Sequence, residues 1–170
     1  AQLYFRDNLT EKYFKRNDIT DADHAELARN YGSVTEASRE MGLKFSPYYA
    51  IFIADADNMG DWISGKYLDD RSLLKEFQKV LSEALGRFAE EVKNSLNGTK
   101  SSLKRGRTIY AGGDDFLGFV NLNHLLPFME EFRKKFEDIV GAAVKPFVSH
   151  TTITISGGAV IAHYKAPLSE

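Results

Sequence analysis

The sequence predicts an α+β fold, a ferredoxin-like βαββαβ domain preceded by a short helical segment, on three observations. The run Tyr48-Tyr49-Ala50-Ile51-Phe52-Ile53-Ala54 is apolar throughout, as expected for a central strand covered on both faces. Leu73, Phe77, Val80, Leu81, Ala84, Leu85, Phe88 and Val92 recur at spacings of three and four, the stripe of a long amphipathic helix. Residues 107–111 and 116–120 are short strand-like segments joined by Gly112-Gly113-Asp114-Asp115, a hairpin by composition and spacing.

In chain order, residues 1–46 are polar and dotted with aromatics, with helix-start signals and no strand pattern. They read as a helical linker or the edge of a preceding domain, and 47–170 as the main domain. One helix is expected over 20–30, from Thr20 or Asp21 to Asn30. A second is expected over 33–41, because Ser33-Val34-Thr35-Glu36 matches a capping box and Gly42 stands where a left-handed residue would end it. The apolar strand ends at Asp55. The helix over 71–95 is stopped by Asn97-Gly98, and 97–105, rich in Gly, Ser and Lys, reads as a loop. Leu125, Met129, Phe132, Phe136 and Ile139 mark another helix from near Asn123, with Pro127 tolerated close to its first turn. A last strand over 151–162 alternates Ile153, Ile155, Gly157, Ala159 and Ile161.

Composition narrows the chemistry. At 170 residues with 43% apolar content, the chain can bury one substantial core. Its 22 basic and 24 acidic residues nearly cancel, with a pI of 6.1, so there is no general footprint for nucleic acid. An RNA partner would need a local patch or a neighbouring subunit, and Lys104-Arg105-Gly106-Arg107 reads as a solvated loop. The absence of cysteine excludes disulfides, thiolate zinc sites and cysteine nucleophiles, and fits a reducing cytoplasm. No apolar run approaches the roughly 20 residues of a spanning helix, so the expectation is a cytoplasmic protein without a membrane partner.

The predicted topology brings distant residues together. In a right-handed split βαβ unit the first and second strands run the same way with the third between them. The C-terminal end of strand one and the turn between strands two and three then share one sheet edge. Asp55 and Asp57 are thereby placed beside Asp114 and Asp115. Gly-Gly-Asp-Asp alone is an ordinary hairpin turn, and Asp-x-Asp after a strand is an ordinary loop cap; their convergence is what carries weight. Four carboxylates at one edge repel one another, and a divalent cation is the natural neutraliser. All-oxygen ligation suits Mg²⁺ or Mn²⁺, and two such ions roughly 3.5–4 Å apart can activate a hydroxyl and stabilise a leaving pyrophosphate. Gly112 and Gly113 permit tight turn geometry and leave room for a nucleotide at the backbone. Ala56-Asp57-Asn58-Met59-Gly60 opens a short helix whose free amides suit a triphosphate.

These pieces resemble a known family, the palm domain of the large signature subunit of type III CRISPR effector complexes, Cmr type. The similar stretches are Tyr48–Ile51 running into Asp55-Ala56-Asp57-Asn58-Met59-Gly60, then Ile109-Tyr110-Ala111-Gly112-Gly113-Asp114-Asp115-Phe116-Leu117, then Val160-Ile161-Ala162-His163-Tyr164-Lys165-Ala166-Pro167-Leu168. The resemblance implies a nucleotidyltransferase that makes cyclic oligoadenylate from ATP when its complex, with its other subunits and guide RNA, binds target RNA. It implies Asp55, Asp114 and Asp115 as metal ligands, Asp57 as a weaker candidate and the Ala56 carbonyl as a further one. Gly112, Gly113 and the amides of Asn58, Met59 and Gly60 are implied as nucleotide contacts. The alternatives are a diguanylate cyclase-like enzyme and a palm that only binds nucleotide within an assembly. Against the former, Asp115 replaces its glutamate, Ile63 falls where it carries a guanine-reading asparagine, and Thr108 occupies the Asp position of its inhibitory site. Palm cyclases continue past the last strand into a closing helix that is missing here, so the chain is expected to be part of a larger protein and inactive alone.

Overall fold

The computed structural model describes residues 21–40, 46–98 and 104–165. The chain divides into two compact units, Ala1–Pro47 with His163–Glu170, and Tyr48–Ala162.

In the first unit, Asp21–Glu40 is one continuous helix, α1, where the sequence signals suggested two. The hydroxyls explain the difference. Ser33 Oγ donates back to the Arg29 carbonyl at 3.2 Å, and Thr35 Oγ1 donates to the carbonyls of Tyr31 and Gly32 at 2.9 Å. Hydroxyls that bond the preceding turn sit inside a helix instead of capping a new one. Gly42 lies outside the described residues. At the other end of this unit the Tyr164 amide donates to the Pro47 carbonyl at 2.9 Å.

The second unit is the predicted βαββαβ domain. β1 (Tyr48–Ala56) leads through a short helix α2 (Met59–Ile63) to a 3₁₀ turn (Arg71–Leu73) and the long α3 (Leu74–Asn97). Asp70 caps the 3₁₀ turn by accepting from the Ser72 amide at 2.8 Å, and Gly98, at φ 72°, ends α3. The hairpin β2 (Gly106–Gly112) and β3 (Asp115–Val120) follows, then α4 (Leu125–Phe136). A π-helical turn (Glu137–Gly141), one turn of helix α5 (Ala142–Val144) and a 3₁₀ turn (Lys145–Phe147) lead to β4 (Ile155–His163). The sheet order is β2-β3-β1-β4, and β3 is antiparallel to both β1 and β2, so β1 and β2 run the same way.

Residues at every second position of β1, Ala50, Phe52, Ala54 and Ala56, are buried at 3% exposure or less, while Ile53 is 56% exposed. The strand is therefore covered on one face within this unit, not on both as its apolar run suggested. Side chains of α3 and α4 share the buried core with that face: Phe132 meets the rings of Phe52, Phe88 and Phe116 edge-on at centroid distances of 5.0–5.1 Å. Trp62 is also in the core, 4.7 Å from the Tyr67 ring. Arg105 of the basic run is tied down internally, pairing with Glu131 at 2.8 Å.

β4 begins later than its alternation predicted. Residues 151–154 are not strand, although Ile153 is buried. None of the nine β4 residues is fully buried. It meets the core through the half-buried Ile155 and at Gly157, where an added Cβ would lie 2.9 Å from the Phe52 ring. Among the described residues no helix is long and apolar enough to cross a membrane.

Candidate active site

The β1–β3 register pairs Ala54 with Phe116, which sets the next residues, Asp55 and Asp115, across from each other on the open face. On the other side of β3, Gly112 pairs with Asp115, leaving Gly113 and Asp114 as the two-residue turn. Gly113 has φ 65° and Asp114 has negative φ, the pattern of a type II′ hairpin with glycine at its first central position. An added Cβ at Gly113 meets nothing within 4 Å, so its outer side is open. At Gly112 the same space is filled by the Tyr110 phenol, so this glycine makes room for a neighbour within the strand. A bulge at Ile109 precedes it.

The carboxylates interact as the topology predicted. A side-chain hydrogen bond to Asp115, then lost solvation, then the charges of Asp115, Asp114 and Asp57, hold the Asp55 carboxyl above its ordinary value of 3.8. Mutual repulsion of this kind is what a bound cation relieves. Asp57 behaves oppositely. The Thr154 hydroxyl donates to its Oδ2 at 2.6 Å, and this bond first, with the Ser156 hydroxyl second, holds its carboxyl below the ordinary value. The Asp57 amide meanwhile donates to the Thr154 carbonyl at 2.9 Å.

The chain then turns through Asn58, left-handed at φ 56°, whose carbonyl accepts from the amides of Asp61 and Trp62. Helix geometry leaves the Met59 and Gly60 amides without intrahelical acceptors. Met59 is anchored by a buried side chain, whereas Gly60 is exposed with nothing near its missing Cβ. In the first turn of α2, Asp61 accepts from Lys66 at 2.6 Å and from the Tyr67 hydroxyl at 3.2 Å, and the Lys66 bond chiefly holds its carboxyl low.

Among the described residues, no three His, Cys, Asp or Glu side chains cluster tightly enough to hold a metal ion by themselves. A hard cation that takes one or two carboxylates and completes its shell with carbonyl, water and phosphate oxygens still fits this donor set. Asp55 and Asp115 would be the carboxylates, with Asp114 beside them and the Ala56 carbonyl next in the chain. Sequence reasoning missed Thr154 and Ser156. Their signal was available: at positions i and i+2 entering an extended segment, two hydroxyls share one face.

A four-stranded antiparallel ferredoxin-like sheet, with carboxylates at the end of its central strand and in the adjoining hairpin, defines a palm domain. The family model "Cas10/Cmr2, second palm domain" matches residues 48–170, and the chain belongs to that family, the palm of the type III CRISPR signature subunit, Cmr type. The CRISPR system Cmr subunit Cmr2 of Pyrococcus furiosus is 30% identical over 195 aligned positions, which take in 99% of this chain and 20% of that protein. The chain thus spans a fifth of the length of this curated relative. Among solved structures, the apo Csm1–Csm4 cassette is similar at a TM-score of 0.47 and 18% identity, over 71% of this chain and 17% of that one. The same cassette in complex with cA4 is similar at 0.46 and 19%, with the same coverage.

Proposed function

We propose that the protein containing this palm is a metal-dependent nucleotidyltransferase that makes cyclic oligoadenylate from ATP within a type III CRISPR RNA-guided defence complex. The observation that carries the reading is the Asp55–Asp115 pair facing each other across β1 and β3, with the charges of Asp114 and Asp57 in range. Family membership supports the setting, a complex of other subunits with guide and target RNA.

In this reading a 3′-hydroxyl gives up its proton to solvent as its oxygen attacks the α-phosphorus of ATP, the new phosphodiester bond forms, and pyrophosphate leaves with the electrons of the broken P–O bond. Bound Mg²⁺ or Mn²⁺ supplies charge neutralisation and lowers the pKa of the attacking hydroxyl. Asp55 and Asp115 hold the cation, and Asp114 adds negative charge beside them. The open turn at Gly113 and the amides following Asn58 receive the phosphates. Orientation and charge complementarity supply most of the acceleration. Ile63, 49% exposed and without a hydrogen-bonding side chain, offers no guanine-reading group at its position.

The test is the intact protein, assembled with guide and target RNA, given ATP and Mg²⁺ or Mn²⁺. Cyclic adenylates are expected, and none from Asp114→Ala/Asp115→Ala. Product that persists in the double variant refutes the site. Cyclic diguanylate from GTP would favour the diguanylate cyclase reading, and calorimetry that detects neither metal nor nucleotide binding would favour a scaffolding role.

A further inference from the structure

We propose that Asp57 serves the site as a brace, not as a metal ligand, and that Thr154 is the positioning residue that holds it. Thr154 grips Asp57 twice: its carbonyl accepts the Asp57 amide at 2.9 Å, and its hydroxyl donates to Oδ2 at 2.6 Å. These two bonds tie Asp57 to the segment that enters β4, while Asp55, two residues earlier, faces Asp115 across β1 and β3.

The brace does work that packing does not. β4 has no fully buried residue; it is hydrogen-bonded to β1 in the sheet and meets the core only at Gly157 and the half-buried Ile155, so its apolar anchorage is slight. The polar clamp closes the seam where β1 ends, and does so at the residue between the Ala56 carbonyl and the amides of Asn58, Met59 and Gly60. Just beyond the clamp Asn58 takes the left-handed φ of 56° that turns the chain into α2. Thr154 therefore sets the geometry with which this loop meets metal and phosphate. The catalytic part of this inference rests on the function proposed above; the clamp itself does not.

The experiment has two arms on the intact protein. In hydrogen exchange without metal or nucleotide, Thr154→Val is expected to speed exchange of the 57–61 amides about tenfold, and Thr154→Ser to restore protection, following the usual size of effects from groups that orient ligands. Unchanged exchange in Thr154→Val overturns the brace. In Mn²⁺ titrations of ATP turnover, Thr154→Val and Asp57→Asn are each expected to raise the half-saturating Mn²⁺ concentration about tenfold, with kcat much less affected, whereas Asp55→Asn lowers turnover by about 10²- to 10³-fold. The Thr154→Val/Asp57→Asn pair should be no worse than either single change. Asp57→Asn as dead as Asp55→Asn, with Thr154→Val unaffected, would make Asp57 a ligand and overturn the proposal. A wild-type protein that turns over no ATP counts against the proposed function alone, and the exchange arm then decides the brace.

Discussion

The centre of the sheet and its β4 edge are held by different physics. β1 and β3 are paired along their length and pressed on one face by phenylalanines from α3 and α4, and their open face ends in two opposed acids. β4 is short of buried side chains and, besides its pairing with β1, is fastened by the Thr154–Asp57 bond just before its start. A fold that places its charge cluster on the rigid pair keeps those acids in register despite their repulsion. The softer edge carries the adjustable support.

The sharpest way to break this contrast is at the acids themselves. Asp115→Asn or Asp55→Asn is expected to lower ATP turnover of the intact, RNA-loaded protein by about 10²- to 10³-fold, the scale seen when one preorganised charge-stabilising group is lost. A loss below tenfold in both would separate the pair from the chemistry. Next in size is the core. Phe132→Ala removes a ring packed against four others and should cost about 3–5 kcal/mol, read by native-state hydrogen exchange of the β1 and α4 amides. Val160→Thr in β4, 64% exposed, should change the same readout by no more than about 0.5 kcal/mol. Between them lies Gly157→Val, which forces a branched side chain onto Phe52 and should cost about 1–3 kcal/mol, with β4 amides losing protection first.

The subtlest prediction concerns pH. Asp55 has a raised carboxyl in the fold, so the unfolded chain gives up that proton more easily. Its ionisation thus opposes folding above its raised value, and the penalty fades as pH falls to 3.8 and below. Asp57 has a lowered carboxyl, so it stabilises the fold above 3.8, and this contribution is lost as pH falls through its lowered value. In metal-free protein at neutral pH, Asp55→Asn should therefore raise the thermal midpoint and Asp57→Asn lower it. Both differences should shrink on acidification. Shifts of the same sign would mean that the two acids do not belong to different regions. Mg²⁺ should raise the wild-type midpoint and leave that of Asp55→Asn nearly unmoved.

Much of this was legible because it is periodic or topological. The stripe from Leu73 to Val92 could only be a helix, and two glycines before two acids between strand-like runs could only be a tight turn. Connection rules then brought Asp55 to the hairpin without any structural input. The N-terminal helix was misdivided because Ser33 and Thr35 carry capping side chains that here bond backward inside one helix. That choice depends on backbone conformation, which residue identity does not dictate. Coverage of β1 on a single face was likewise illegible, since an apolar run states that a strand avoids water and not which element keeps water away.

The sequence by itself determined the order of elements, the hairpin and the four acids, because periodicity, turn chemistry and crossover handedness are local or follow from chirality. Only the tertiary structure decided that the acids are not equivalent. Thr154, 97 residues away, takes Asp57, while Asp55 faces Asp115. A carboxylate's role is set by the donors and charges within a few ångströms of it, and folding alone brings those neighbours into place.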